Sequence, residues 1–198
     1  MYFYFMDRKE HYNVDNYICF AVCSFSYKEV WLEDIKKDYD NLSLLKESSL
    51  QNAFYFHLRR RLGEDFLAEN NLKIYPEFKI GGNRADLAVV AIDPNSTEEY
   101  LKECVTEVIS VIEMKYKGQY AGESNFDNDV LKVLSYIDEK TYDTMYYLAF
   151  IREVYFHPDE VTNWISDEQA LETRGSLTEM YSYGDRENNH MIWGIKEY

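Results

Sequence analysis

Long apolar runs and cysteines are scarce in this chain of 198 residues. No stretch approaches the ~20 consecutive apolar residues that a transmembrane helix needs, which predicts a soluble protein with no membrane partner. The three cysteines are an odd number, and the apolar start of the chain is too short for the core of a secretory signal. These features favour reduced thiols and a cytoplasmic location.

The motifs of several common chemistries are also missing. The sequence contains no G-x-S-x-G, no P-loop and no Ser/His/Asp triad motif. Cys19 and Cys23 are one helical turn apart, but no second Cys/His pair follows them at zinc-ligand spacing. We therefore interpret both as small buried apolar residues rather than metal ligands.

The chain nevertheless has the composition of a folded protein. A hydrophobic fraction of 46% and an aromatic fraction of 17% exclude general disorder. The length suits one domain over residues 1–198 with a sizeable core.

Two strand-like apolar runs carry ionisable residues in their interior. They are Arg84 to Val90 (RADLAVV) and Val111 to Lys115 (VIEMK). Burying an unpaired charge is costly, so ionisable residues in such segments usually pair, bind a metal or do chemistry.

The alternation of side chains along a strand gives these residues a geometry. Glu113 and Lys115 point to one face, and Met114 points to the other. If the two strands pair, Asp86 and Glu113 converge, and two facing carboxylates repel unless a proton or a cation lies between them. Mg²⁺ is the natural cation because it prefers hard oxygen ligands and keeps several waters. With a lysine beside it, the set suits hydrolysis of a phosphodiester.

Asp86 followed by Glu113-Met114-Lys115 resembles the PD-(D/E)XK nuclease superfamily, which has the restriction-endonuclease-like fold. The resemblance covers about residues 46–151, and Ala85 stands where the family name places a proline. It implies a DNA nuclease in which Asp86 and Glu113 bind Mg²⁺, with Mn²⁺ as a substitute. It further implies that Lys115 orients the attacking water and that the carbonyl oxygen of Met114 completes the metal shell.

A first helix offers another carboxylate. Leu50, Phe54, Leu58 and Leu62 fall on one helical stripe, and Glu47 lies in the middle of that stripe. Many members of the superfamily carry a glutamate on this helix that reaches the metal, which makes Glu47 an auxiliary ligand and Gln51 its neighbour. The alternative is that Glu47 only occupies the first turn, where its charge suits the helix dipole.

Further residues are weaker candidates for binding the substrate. Arg84 and Lys117 flank the two runs. Lys132 and Tyr136 lie on a second predicted helix, which members of the superfamily use to support the site or to touch phosphates. Because Lys132 falls off the apolar face of that helix, our default expectation is that it is exposed to solvent.

Periodicity and turn residues give an expected element order. With the resemblance they predict an α/β (α+β) fold with a central mixed β-sheet flanked by helices. Its restriction-endonuclease-like core spans about residues 44–151, with N- and C-terminal additions. Strands are expected at 2–6, 17–27, 74–80, 84–90, 108–116, 146–151, 181–183 and 191–195, and helices at 44–62, 97–104, 127–140 and 161–172.

The net charge of −15 opposes binding to a polyanion at long range. Basic residues are concentrated around the candidate site, which predicts a local positive cleft on an acidic body. They are Arg59, Arg60, Arg61, Lys73, Lys79, Arg84, Lys115, Lys117 and Lys132. The three consecutive arginines also fit a solvated helix end, where cations suit the dipole.

Three hypotheses therefore remain open. The first is a metal-dependent DNA nuclease. The second is a non-catalytic or regulatory protein on a nuclease-like fold that binds a protein partner, or a second copy of itself, through its acidic surface. The third is a plain globular domain in which Lys115 bonds to both Asp86 and Glu113.

Overall fold

The computed structural model of the protein describes residues 14–118, 122, 124–138, 143–161 and 163–198, with the backbone alone for 14–20 and 158. The strand expected at 2–6 lies outside these residues. The described elements are α1 (Val14–Glu29), α2 (Lys36–Asp40), α3 (Glu47–Leu62), α4 (Glu64–Glu69), β1 (Leu72–Ile80), β2 (Asn83–Ile92), β3 (Val105–Lys117), α5 (Ser124–Asp138), β4 (Met145–Phe156), α6 (Asp167–Thr173), β5 (Leu177–Asp185) and β6 (His190–Glu197).

The first described segment is helical, so the strand predicted at 17–27 is wrong. A π-helical stretch, Val30–Ile35, continues α1 directly into α2. The buried residues Cys23, Tyr27, Trp31 and Ile35 recur every four positions, which places them on one helical face. Aromatic and β-branched residues favour strands locally, but packing of this face against the sheet decides the conformation.

The helix predicted at 44–62 is confirmed as α3, which begins at Glu47. Its predicted stripe, Leu50, Phe54, Leu58 and Leu62, is buried throughout. The helix ends at Gly63, whose φ of 80° is a conformation that residues with a Cβ rarely adopt.

The six strands form one mixed sheet in the order β1-β2-β3-β4-β5-β6. Strands β3, β4 and β5 are mutually parallel, and the remaining neighbours are antiparallel. The turn residues at 81–83 and 186–189 predict two hairpins, and both are present. Helix α5 is the crossover between β3 and β4. The α+β class with helices around a mixed sheet is therefore confirmed.

Helices cover both faces of the sheet. One apolar layer joins α1, α3 and α4 to side chains such as Leu87, Ile112 and Met114. The other joins α5 to side chains such as Val111 and Phe150. Among the residues that the structure describes, no helix has the length and apolar character needed to cross a membrane.

Three predicted details differ in the structure. The helix expected at 97–104 is only a 3₁₀ turn, Leu101–Cys104, and the exposed side chain of Leu101 gives it no apolar face to bury. The helix expected at 161–172 begins at Asp167, because Ser166 forms a capping box with Gln169. Helical periodicity predicts that Leu131 of α5 is buried together with Val130, Leu134 and Ile137, but Leu131 is 59% exposed.

The arginines at the end of α3 do not contribute to a positive cleft. They lie about 20 Å along the helix from Glu47, at 1.5 Å per residue. Arg59 pairs with Glu64, while Arg60 and Arg61 pair with Asp34. That part of the prediction is wrong because acidic neighbours already neutralise these cations.

The ion pairs around Asp34 fasten α3 to the preceding helix. The side chain of Asp34 is only 11% exposed, and Arg61 Nε lies 2.5 Å from Asp34 Oδ2. The guanidinium of Arg61 also reaches Glu29 and Glu33 at 2.7 Å each. Burial raises the pKa of Asp34, but the hydrogen bond and charge of Arg61 outweigh it and leave the pKa below its usual value.

We expect Asp34→Asn to lower the free energy of unfolding by about 2 kcal/mol, measured by urea denaturation at pH 7. This is less than the ~3–5 kcal/mol for breaking a fully buried pair, because Arg61 retains its other two partners. Glu33→Gln is the matched control, since its side chain is 64% exposed and contacts the same arginine. A loss of less than ~1 kcal/mol is expected there. Equal losses in the two variants would contradict the role of Asp34.

Candidate active site

The site forms where β2 and β3 part. Backbone pairing between these strands ends at Leu87 and Ile112. Asp86, the residue before Leu87 on β2, contacts β3 through its side chain. Its Oδ2 atom accepts a hydrogen bond of 2.6 Å from the Met114 amide. The carboxylate is thereby fixed in the fork between the strands. The prediction that Asp86 and Glu113 converge required β2 and β3 to pair, and the two strands do pair as far as Leu87 and Ile112.

Glu113 is the most buried carboxylate of the site, at 1% exposure. It shares the α5 side of β3 with Lys115, as alternation predicted. Lys132 Nζ lies 2.7 Å from Glu113 Oε2, and Tyr136 donates its hydroxyl to Oε1 at 3.2 Å. Lys132 is thus only 24% exposed, so the expectation that it faces solvent is wrong. Its long apolar stem crosses the helix surface while its ammonium group reaches the sheet.

Lys115 lies between two carboxylates on different helices. Its Nζ atom is 2.8 Å from Asp129 Oδ2 of α5 and 3.1 Å from Glu47 Oε2 of α3. Burial alone lowers the pKa of Lys115, but the hydrogen bond and charge of Asp129, with those of Glu47, raise it overall. Lys115 is therefore an ammonium group at neutral pH. It does not bond to both Asp86 and Glu113, as the hypothesis of a plain globular domain required.

Glu47 lies in the first turn of α3, as one interpretation predicted, while its role as an auxiliary metal ligand stays a prediction. It is the first residue of α3, where its charge suits the helix dipole. Its Oε2 atom also lies 3.1 Å from Lys115 Nζ. Among the described residues, this buried oxygen accepts no hydrogen bond apart from that ion pair. Asp129 Oδ2 is in the same situation. Two buried carboxylate oxygens thus retain unused capacity at the site.

The carboxylates of the site hold protons more tightly than usual. Burial raises the pKa of Asp86 to about 6, although the Met114 amide and the charge of Lys132 act against it. Burial and the neighbouring Asp86 carboxylate raise the pKa of Glu113 to about 8, despite Lys132. The two groups titrate as a coupled pair that retains a proton near neutral pH.

The charges at the site do not balance when every group is ionised. Four carboxylates, those of Glu47, Asp86, Glu113 and Asp129, face the two ammonium groups of Lys115 and Lys132. An excess of two negative charges in a partly buried place favours a divalent cation or retained protons.

The other predicted residues lie at the margin of the site. Gln51 donates to the backbone oxygen of Asp86 at 2.7 Å and to Glu77 at 3.1 Å. Arg84 is 60% exposed and pairs with Glu77 at 2.9 Å, and Glu77 in turn accepts the hydrogen bond from Gln51. Lys117 is half-buried and lies two residues after Lys115 on β3, so both residues are on the same face of the strand.

A complete metal cage is not preformed here. Within the described ranges, no group of three or more His, Cys, Asp or Glu side chains is arranged to hold a metal ion. Mg²⁺ does not need such a cage, since one or two carboxylates with waters suffice. Asp86 and Glu113 with their negative excess fit that requirement, and Met114 presents its backbone to the same place because its amide bonds to Asp86.

Sequence reasoning missed Asp129. It lies three residues before Lys132 and seven before Tyr136, so the three share one face of α5. The spacing of these three polar residues, which places them on one face of the helix, is the sequence signal that points to Asp129. Glu77, with a φ of 55°, was missed as well.

Comparison of the chain with models of known protein families, with curated proteins and with solved structures gives no match.

The raised carboxyl pKa values predict a pH-dependent stability in the metal-free protein. The folded state binds a proton at Glu113 more tightly than the unfolded state does. Its contribution to stability is therefore full below pH 4.5 and is lost as the pH rises towards 8. Relative to Glu113→Gln, the free energy of unfolding of the wild type should fall by at least ~1 kcal/mol over this range, about the value of one pKa unit.

Urea denaturation with EDTA at pH 5, 7 and 9 measures this effect, because the pKa of Glu113 rises from 4.5 in the unfolded chain to about 8 in the folded protein. Glu98→Gln, which removes the same charge at an exposed position, should follow the wild type. Parallel curves for the wild type and Glu113→Gln would contradict the prediction.

Proposed function

We propose that the protein is a Mg²⁺-dependent nuclease of the PD-(D/E)XK type that hydrolyses phosphodiester bonds of DNA. The observation that carries the proposal is the convergence of Asp86 and Glu113 in the fork between β2 and β3, with Lys115 two residues after Glu113 on the same strand. A buried pair of carboxylates with raised pKa values and an excess of negative charge marks a functional site more often than a structural one.

Asp86 and Glu113 are the proposed ligands of the cation, with the Met114 carbonyl oxygen and Glu47 as auxiliary ligands. When bound, Mg²⁺ neutralises charge on the phosphate and lowers the pKa of a bound water. Glu113 is held for this task by Lys132 and Tyr136, which fix both of its oxygens.

Lys115 is proposed to orient the attacking water and to donate a hydrogen bond to a phosphate oxygen. Its raised pKa keeps it protonated, which suits a donor and does not suit a general base. Glu47 and Asp129 hold its ammonium group from two sides. A strand and two helices thus determine where this charge lies.

We expect Asp86→Asn, Glu113→Gln and Lys115→Ala each to reduce Mg²⁺-dependent cleavage by at least about 100-fold, the usual cost of removing one preorganised charged contact. Cleavage of supercoiled plasmid and of labelled single-stranded DNA, with Mg²⁺ or Mn²⁺ and with EDTA, measures it. Asp127→Asn, an exposed carboxylate in the first turn of α5, is the matched control and should retain wild-type activity.

Wild-type activity in all three variants would refute the proposal, as would the absence of Mg²⁺ or Mn²⁺ binding in a calorimetric titration.

One observation favours the second function, a protein-binding module on this fold. The cations of the site, Lys115 and Lys132, are already paired with carboxylates, and the arginines of α3 are paired as well. A body with a net charge of −15 then presents a largely acidic surface, which suits a basic protein partner.

This alternative predicts that Lys115→Ala leaves the biological effect intact and that a basic partner co-purifies at low salt. The partner should dissociate at 1 M salt, where the Debye length falls to about 3 Å. Size-exclusion chromatography with light scattering measures the complex and also detects a homodimer. Loss of the effect in Lys115→Ala, with no partner retained, would exclude it.

A further inference from the structure

Two leucines beside the candidate active site are exposed to solvent. They belong to the segment that joins α2 to α3, residues 41–46, which we call the leucine loop. Leu42 is 82% exposed and Leu45 is 79% exposed, whereas Leu44 between them is buried. A single exposed leucine is common on a protein surface, but two of them on one short loop at the edge of a site indicate a contact surface.

The backbone of the leucine loop is held by hydrogen bonds at both ends. The amides of Leu42 and Ser43 donate to backbone oxygens of α2 at 2.9 Å each. The amides of Leu45 and Lys46 both donate to Ser49 Oγ of α3, at 2.9 Å and 3.0 Å. The exposed leucines therefore project from a fixed backbone, and little conformational freedom is lost when something binds them.

A tyrosine joins the same loop to the strand of the candidate site. Tyr116 follows Lys115 on β3, and its hydroxyl oxygen lies 3.2 Å from the backbone oxygen of Leu44. Leu45 precedes Glu47 by two residues, so their Cα atoms are at most ~7 Å apart. The Glu47 carboxylate in turn lies 3.1 Å from Lys115 Nζ. The leucine loop and the candidate site are therefore neighbours in space.

The ion pairs of the site are most open to solvent on the side of this loop. The side chain of Glu47 is 39% exposed, compared with 24% for Lys132 and 14% each for Lys115 and Asp129. A substrate that reaches Lys115 from solvent therefore approaches past Glu47 and the leucines that precede it.

The leucine loop is also a gap in the acidic surface. No Asp or Glu occurs between Asp40 and Glu47, and Lys46 carries the only charge of that segment. Lys46 is exposed and forms no ion pair with the residues that the structure describes. In a chain with a net charge of −15, a polyanion meets less repulsion here than beside exposed carboxylates. Nucleic acid offers phosphates to the lysine and apolar base faces to the leucines.

We propose that Leu42 and Leu45 insert beside a base of the DNA strand being cut, and that Lys46 contacts the phosphate next to that base. Leucine is among the apolar side chains that unstack neighbouring bases when they insert into DNA. The insertion opens the base stack where the phosphodiester must enter the fork between β2 and β3. The inference rests on the proposed nuclease function, because it names how the same site receives its substrate.

The small size of the apolar surface favours DNA over a protein as the occupant. A stable protein interface buries ~800 Å² on each partner. The two leucines are flanked by the polar residues Asn41, Ser43 and Lys46, so they supply only a small part of such an area. One step between two bases needs only a contact of this size.

Fluorescence of 2-aminopurine in DNA tests the insertion directly, because this base brightens when it leaves the stack. The probe is a short A·T duplex in which 2-aminopurine replaces the adenines of one strand, used beside that strand alone. Ca²⁺ replaces Mg²⁺ during binding, and the intact probe is quantified on a gel. Binding of the wild type should raise the fluorescence at least about twofold over that of free DNA.

The double variant Leu42→Ser/Leu45→Ser should lose this rise and bind the probe at least about tenfold more weakly, because two apolar contacts are removed. Lys46→Ala should keep the rise in the bound complex but reduce the slope of log Kd against log salt by about one. Leu171→Ser is the matched control, since this leucine of α6 is 83% exposed, and it should behave as the wild type. All of these positions are exposed, and substitutions there rarely disturb folding.

Binding and fluorescence in the double variant that match those of Leu171→Ser would overturn the inference, as would a wild type that binds without any rise. If light scattering shows that the double variant loses only self-association, the loop is a protein contact and the inference is overturned as well. Cleavage by the wild type with Mg²⁺ judges the nuclease proposal separately and would survive either result. A wild type that neither binds nor cuts DNA would refute both.

Discussion

The hydrogen bond from the Met114 amide to the Asp86 carboxylate is the contact on which the site depends. It joins β2 to β3 where their backbone pairing has ended. The Asp86 carboxylate there accepts a hydrogen bond that a backbone carbonyl of a paired strand would otherwise accept. This bond keeps Asp86 in a place from which burial would otherwise expel a charge. It also brings Asp86 close enough to Glu113 for the Asp86 carboxylate to raise the pKa of Glu113. The α5 side chains Lys132 and Tyr136 then matter because they stabilise the more buried member of the pair.

Two helices meet the two strands at this fork. α3 contributes Glu47, α5 contributes Asp129, and both contact the same lysine of β3. Lys115 therefore links the two helical layers across the end of the sheet. Such a link is costly for a purely structural purpose, because buried ion pairs seldom stabilise more than apolar residues of similar size. A function that needs an ammonium group at a fixed place explains the arrangement better than stability does.

The sequence was sufficient for the features that depend on periodicity. The stripe of α3, the hairpin before Asp86 and the shared face of Glu113 and Lys115 all follow from local repeat patterns. Features that depend on long-range contacts were not predictable in this way. The segment at 17–27 has strand-forming residues but packs as a helix. The helical pattern predicted that Lys132 is exposed, because its burial depends on the packing of α5 over Glu113. The pairing of Arg59 to Arg61 with acids depended on how the first helices fold back onto α3.

The acidic composition and the acidic site have one physical consequence in common. A phosphate approaching Asp86 and Glu113 meets an excess of negative charge on an acidic body, and neither Lys115 nor Lys132 is unpaired to receive it. A divalent cation changes this balance by removing the excess, so its binding would precede any productive contact with a phosphate. Under the proposed nuclease function, the cation would then determine both the chemistry and the access of the substrate. Because both lysines are paired with carboxylates, the metal-free site would repel a polyanion until a cation binds.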